Sequence, residues 1–411
     1  MSGMVITQHR EPELQEETSQ PAKQQGILRY NSPLAQVFLI GLVCFCCPGM
    51  FNALTGLGGG GQLNHTTVDN ANTVLYACFA IFGVLGGAAY NLLGPRTTLL
   101  VGALTYPLYA ASFLYYNHHG SEVFPIVAGG VLGGLFPFSF NYHRGDKPAS
   151  VNDGTYIAFI AFMLLGAALS LFILPPTEIV RDDGSKATRF IYSSLAIEGT
   201  EILRLFTNWK MLLVLPAAWD SNFFYTYQFN NVNGVLFTLR TQGLNNIFYW
   251  GARMIGSVSI GYLLDFGFAS RRKRGLVGVV VVAVLGSAIW GGGLANQLKY
   301  KDGKWDNLID FKDGRRYAGP FLLFFSYGLL DAMFQSLVYW IIGALANDSQ
   351  VISRYVGFYN AVQSAGAAVA WQIDRHKTPL ICQLILNWGL MTISYPLLGV
   401  LVMFAVKDED N

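Results

Sequence analysis

Charge is what this sequence has least of. Asp, Glu, Lys and Arg together make up 13% of its 411 residues, about half the share found in soluble domains. That deficit excludes an ordinary globular enzyme, whose water-facing surface needs more charge. Cysteine is scarce too. Cys44, Cys46, Cys47, Cys78 and Cys382 all fall inside apolar stretches, so they are expected as lipid- or core-facing thiols rather than a disulfide framework or a zinc site. No basic stripe interleaved with aromatics is present, and nucleic acid is therefore not a partner. No nucleophile, base and orienting group recur at a catalytic spacing, which leaves an enzyme without support. No cofactor is called for. The run Gly58–Gly61 lacks the strand and helix of a nucleotide loop, and Asp302, Asp306, Asp310 and Asp313 lack calcium-loop spacing. His118-His119 reads as a solvated pair rather than a metal site.

What remains is apolar length. Ten stretches are long and apolar enough to cross a bilayer: Leu34–Leu54, Thr73–Leu93, Thr98–Tyr116, Thr155–Leu174, Met211–Asn231, Ile247–Phe266, Leu276–Leu294, Gly319–Leu345, Tyr355–Ile373 and Leu380–Val406. An eleventh, Val123–Phe140, is marginal at about eighteen residues. Backbone in hydrocarbon must satisfy its own hydrogen bonds, so these runs become helices. The expectation is an all-α membrane protein with 10–11 transmembrane helices, integral and multi-pass, with the lipid bilayer as its first partner. Which membrane, plasma or internal, is not written in the sequence. Residues 1–33 are polar and read as a disordered cytosolic tail. Residues 34–174 form an N-terminal helical half and 211–406 a C-terminal half. The charged stretch 175–210 joins them as a cytosolic linker, with 407–411 as a cytosolic tail. Loops 55–72 and 117–122 carry no Lys or Arg and are expected outside. Asn64-His-Thr66 in the first of these is a glycosylation sequon. In the second half the charge rule is level between the two orientations.

Two short loops share a spacing. Gly87, Asn91 and Arg96 recur as Gly261, Asp265 and Arg271, with Gly four residues before an acid or amide and Arg shortly after. Gly permits close helix approach, the acid or amide can cap a helix, and Arg can pair across the loop. The device suits a conformational latch. It resembles the cytoplasmic loop signature of the major facilitator superfamily.

Longer runs narrow the resemblance. They are Phe224-Tyr-Thr-Tyr-Gln-Phe-Asn230-Asn231-Val-Asn233, Leu239-Arg240-Thr-Gln-Gly-Leu-Asn245-Asn246, Asn91-Leu-Leu-Gly-Pro-Arg96, Ser150-Val-Asn-Asp-Gly-Thr-Tyr156, Pro175-Pro176 with Arg181-Asp-Asp-Gly184, and Gly357-Phe-Tyr-Asn-Ala-Val-Gln-Ser-Ala-Gly366. Together they resemble the Unc-ninety-three-like branch of that superfamily (the ion channel regulatory protein type), especially its fungal members. The resemblance implies a bundle of two helical halves, twelve helices and two cytosolic termini. One departure stands out: near 134–135 about one and a half helices of the family pattern are missing. Val123 enters from outside and Asn141 should emerge outside, so the segment between them must be re-entrant or the half rearranged.

Polar residues inside apolar helices are costly and mark function by default. Asp220, Arg253, Asp331, Gln335 and Gln363 are the candidates for a substrate pathway, with Asp331 the first choice near the middle of its helix. Gln228, Asn230 and Asn231 cluster at one helix end. The expected activity is transport of a small solute by alternating access. The alternative is a non-transporting accessory protein that regulates or escorts another membrane protein, as the resemblance implies for some animal members.

Overall fold

The protein is seen in a computed structural model, which describes residues 29–56, 65–121, 123–133, 153–175, 178–180, 200–201, 203–300, 308–346 and 349–408. The sequon at Asn64, the 134–135 junction and most of the 175–210 linker lie outside these. Among the described residues there is helix and no strand, apart from one isolated bridge between Phe237 and Ile309.

The first crossing is α1 (Pro33–Cys44), a π turn at Phe45–Gly49 around Pro48, and α2 (Met50–Gly56). Ser32 caps α1 by accepting from the Ala35 amide. Cys46 and Cys47 are buried against Gly166, where an added Cβ would sit 2.6 Å from both side chains. All five cysteines are free.

Helical backbone then runs from His65 to His119 as α3, where a loop had been expected at 94–97. Yet Tyr109 Oη donates to Asn72 Oδ1 at 2.6 Å, and Thr67 donates to Tyr116 at 3.3 Å. A straight helix would hold residues 72 and 109 about 55 Å apart. The run therefore folds back on itself as two antiparallel arms, and both pairs centre near the Asn91–Arg96 motif. The two spans read from the sequence are these arms, joined with almost no loop.

α4 (Val123–Gly133) follows, its described residues covering about 16 Å. α5 (Asp153–Ser170) begins beside the same end of α3, where His118 Nε2 meets the Asp153 carboxylate at 3.0 Å. The described chain leaves that face at Val123 and is back on it at Asp153.

The second half contains α6 (Trp209–Asp220), a turn at Phe224–Thr226, a π-helical stretch Tyr227–Gly234, α7 (Leu239–Phe266), α8 (Arg271–Gln297), α9 (Arg315–Ala344), α10 (Ser349–Arg375) and α11 (Leu380–Ala405). Its polar contacts gather at two ends. On the face holding both termini, Ser270 and the Arg272 amide donate to Asp408, and Lys210 reaches the Leu345 carbonyl. On the far face, Asp310 holds Arg240, Thr238 and Thr241. On this same face Asn246 of α7 meets the Ala53 carbonyl of α2. Between these layers the surface is apolar. On α7, Met254 and Val258 are 72% and 73% exposed while Tyr249, Ala252 and Ile260 are fully buried. That inside-out pattern is what lipid contact produces. The described residues traverse between the faces ten times.

Five of the helical segments are long and apolar enough to span by composition: Pro33–Thr55, Arg96–His119, Arg271–Gln297, Arg315–Ala344 and Leu380–Ala405. α7 and α10 are as long but more polar, because their inner faces carry the side chains of the bundle interior.

α7 and α9 pack backbone to backbone. Gly256 lies against the Leu329 carbonyl and Gly328 against that of Tyr249. A methyl group at either position would strike a carbonyl oxygen, so small residues set how close these two helices come. That approach brings Arg253 and Asp331 within reach of each other.

Candidate functional site

Four helices converge on one buried polar cluster. Pro216 removes a backbone donor in α6, and beyond Asp220 the chain passes through a turn into the π-helical stretch, a geometry frequent at functional sites. This region supplies Ser221, Asn222, Tyr225 and Gln228. α7 contributes Tyr249 and Arg253, α9 Asp331 and Gln335, and α10 Tyr359 and Gln363. Each of these last three pairs is four residues apart, so both members share one helix face.

Asp331 is the hub. Arg253 Nε lies 3.1 Å from its Oδ2, Tyr249 Oη donates to the same oxygen at 3.0 Å, and Gln335 Nε2 donates to Oδ1 at 2.6 Å. Tyr249 also reaches Gln228 at 2.8 Å. Arg253 Nη1 donates to Tyr225 Oη at 3.0 Å, and its guanidinium sits 4.7 Å from the centre of the Trp250 ring. Gln335 further reaches the Ser221 carbonyl, and Gln363 donates to Asn222 at 3.0 Å and to Gln335 at 3.4 Å. Tyr359 closes the ring on Ser221 Oγ at 2.8 Å. Asp331 has no exposed side-chain surface, whereas Arg253 keeps 21%. The ion pair is thus reachable only through the arginine edge. Arg253 and Asp331 carry opposite formal charges, so the cluster has no net formal charge.

The sequence-predicted residues Arg253, Asp331, Gln335 and Gln363 meet here. Asp220 does not. One residue along a helix turns the side chain by about 100°, so Asp220 points away from the network that its neighbours Ser221 and Asn222 join. It is fully buried and neither carboxylate oxygen has a hydrogen-bond partner. Tyr225, Tyr249 and Tyr359 were missed in the sequence because aromatics on apolar helices look like core. The (i, i+4) spacing of Tyr249 with Arg253 was the available signal.

A second cluster joins the two halves on the far face. Asn230 Nδ2 donates to Asp69 Oδ1 of α3 at 3.3 Å and to Asp374 Oδ2 at the end of α10 at 2.8 Å. Asn231 donates to Asp374 and to Gln383 of α11, at 2.8 and 2.9 Å. Gln372 reaches Thr73, and Asn246 reaches the Ala53 carbonyl, each at 2.8 Å. Neither Asp69 nor Asp374 is a candidate in the sequence, since each lies at the edge of an apolar run.

The loop-signature residues fall on the terminal face. The side chains of Gly87 and Asn91 lie outside the described residues, but Arg96 Nε donates to the Ile173 carbonyl at 3.0 Å, tying the fold-back of α3 to the end of α5. Gly261 faces open space. Arg274 donates to the Asp265 backbone carbonyl, and Arg271 lies 6.0 Å from the centre of the Trp340 ring. The cap on α8 is Ser270, which accepts from the Lys273 amide. Among the described residues no three His, Cys, Asp or Glu side chains are placed to hold a metal.

No protein-family model matches the chain. Over 426 aligned positions it is 56% identical to UNC93-like proteins 1 and 2 of Arabidopsis thaliana, covering 93% of this chain and 93% of each relative. It belongs to the UNC93-like family. It is also 36% identical over 413 positions to a UNC93-like protein of Schizosaccharomyces pombe, covering 89% of this chain and 81% of the relative. An alignment of 426 positions is longer than the 411 residues of this chain, so the Arabidopsis relatives hold internal residues that it lacks. Among solved structures it is similar to a D-xylose–proton symporter (TM-score 0.52, 13% identity, 91% of this chain and 98% of that one). It is likewise similar to a peptide transporter in complex with alafosfalin (TM-score 0.53, 10% identity, 92% and 95%). At these identities the likeness is one of fold. The chain is a multi-pass membrane protein with the fold of these transporters, in contact with lipid.

Proposed function

We infer that the protein is a secondary transporter that moves a small polar solute by alternating access of its two halves. The observation that carries this reading is the Arg253–Asp331 pair. A buried ion pair is costly in a helix bundle and adds little to stability, so its presence amid satisfied amides and tyrosines favours a working role. In this reading Gln335, Gln363, Tyr225 and Tyr249 hold the pair and share in binding the solute. Gly87, Asn91 and Arg96, with Gly261, Asp265 and Arg271, form the matching latches on the cytosolic side. The helices of residues 34–174 and 211–406 rock as two bodies about the linker 175–210.

The test is uptake of a mixed small-solute pool into liposomes carrying the purified protein, read by mass spectrometry. Wild type should accumulate at least one solute, and folded Asp331→Asn should not. No uptake by wild type, together with stoichiometric co-purification of a channel or receptor from its native membrane, would establish the accessory role instead.

A further inference from the structure

We propose that Asp69, Asn230 and Asp374 form a proton-operated clamp that closes the far face between the two halves. Asp69 and Asp374 lie 305 residues apart in sequence, one on each half, and a single amide nitrogen serves both. Their bonded oxygens are therefore no more than about 6 Å apart, within the range where one negative charge disfavours another. Asp69 is buried at 3% exposure, so water does little to screen that repulsion. The clamp sits where the other ties between halves also lie, Gln372 to Thr73 and Asn246 to Ala53.

The sign of the pH response follows. When the halves are together, a proton on the pair removes the repulsion and leaves the Asn230 bridge intact. When the halves part, both carboxylates meet water and release the proton. The closed arrangement binds the proton more tightly, so acid closes the far face and rising pH opens it, by up to about tenfold in the open-to-closed ratio per pH unit for one proton. Arg375, His376 and Lys377 follow Asp374 at the end of α10, and Tyr109 lies on the returning arm of α3; Tyr227 of the π-helical stretch turns its hydroxyl away to Gln297 of α8, and the first turn of α11 carries the exposed Cys382. Tyr109 is engaged with Asn72. His376 is a neighbouring imidazole that hydrogen-bonds the Gln372 carbonyl at 2.7 Å, so it needs its own control.

The clamp rests on the alternating-access reading for its purpose, but its test needs no solute. Spin labels at Ser121 and Lys377, attached through a click-reactive residue so that the native cysteines remain, report the separation of the halves on the far face. In liposomes the wild-type distance distribution should shift to longer values as pH rises from mildly acidic to mildly alkaline. Asp69→Asn should stay short across that range, and His376→Gln should respond like wild type. If Asp69→Asn does not assemble, Asp374→Asn serves in its place with the same expectation. A wild-type distance that ignores pH, or a response that survives Asp69→Asn and vanishes in His376→Gln, overturns the clamp. Uptake without any such shift sinks the clamp while sparing the transporter, and a shift without uptake does the reverse.

Discussion

Arg253 and Asp331 set up a double-substitution experiment whose outcome follows from their surroundings. In Asp331→Leu the guanidinium keeps only the Tyr225 oxygen and the Trp250 face. Tyr249 still has Gln228, and Gln335 still has the Ser221 carbonyl, so the loss is almost wholly that of an unpaired buried charge. Removing one partner of a buried pair costs about 3–5 kcal/mol. Arg253→Met should cost less, toward the lower end of that range, because a carboxyl group can shed its charge by taking a proton and a guanidinium cannot. The two together replace the pair by apolar groups of similar volume and should come close to wild type. The two single losses together should then exceed that of the double by about 6–8 kcal/mol, far from additive. Unfolding in mixed detergent micelles measures all four proteins on one scale. Asp331→Asn keeps the shape and one acceptor for Arg253, so it should lose only about 1–3 kcal/mol and remain purifiable for uptake assays. Single variants within 0.5 kcal/mol of wild type, or losses that simply add, would refute the paired-charge argument. A stable double variant that still transports would make the pair structural.

Three further outcomes are expected. Gly328→Ala drives a methyl group into the Tyr249 carbonyl and should cost about 1–3 kcal/mol, while Gly261→Ala, facing open space, should be neutral or slightly stabilising; equal effects in a thermal-shift assay would contradict the packing described for α7 and α9. Asp310 has its carboxyl held below the ordinary carboxylate range, chiefly by the Arg240 hydrogen bond at 2.5 Å. A depressed folded value means its contribution is present at neutral pH and lost as pH falls through that value, so amide exchange at Phe311 and Lys312 should quicken in strong acid and already at neutral pH in Asp310→Ala. Asn64 should carry a glycan on material from the secretory pathway, seen as a glycosidase-sensitive mobility shift absent in Asn64→Gln; a cytosolic reporter signal from that loop would reverse the orientation.

That the chain is an all-helical, multi-pass membrane protein was legible in the sequence. Apolar length in hydrocarbon leaves the backbone one choice, and an ionisable residue such as Arg253 or Asp331 within an apolar run announces itself by its cost. Three things were decided only in three dimensions. The Asn91–Arg96 loop became a fold-back within continuous helical backbone, which the Tyr109–Asn72 bond reveals and local sequence does not. Asp220 and its neighbour Ser221 were equivalent by position, yet a rotation of one residue put the serine in the network and left the acid alone. Asp69 and Asp374 looked like loop-edge acids until the packing of α3 against α10 and the wide turn of the π-helical stretch set both within reach of Asn230. Hydrophobic period and burial cost act along the chain and can be read there; a hydrogen bond between distant helices depends on crossing geometry, which small residues such as Gly256 and Gly328 determine from outside the residues that make the bond.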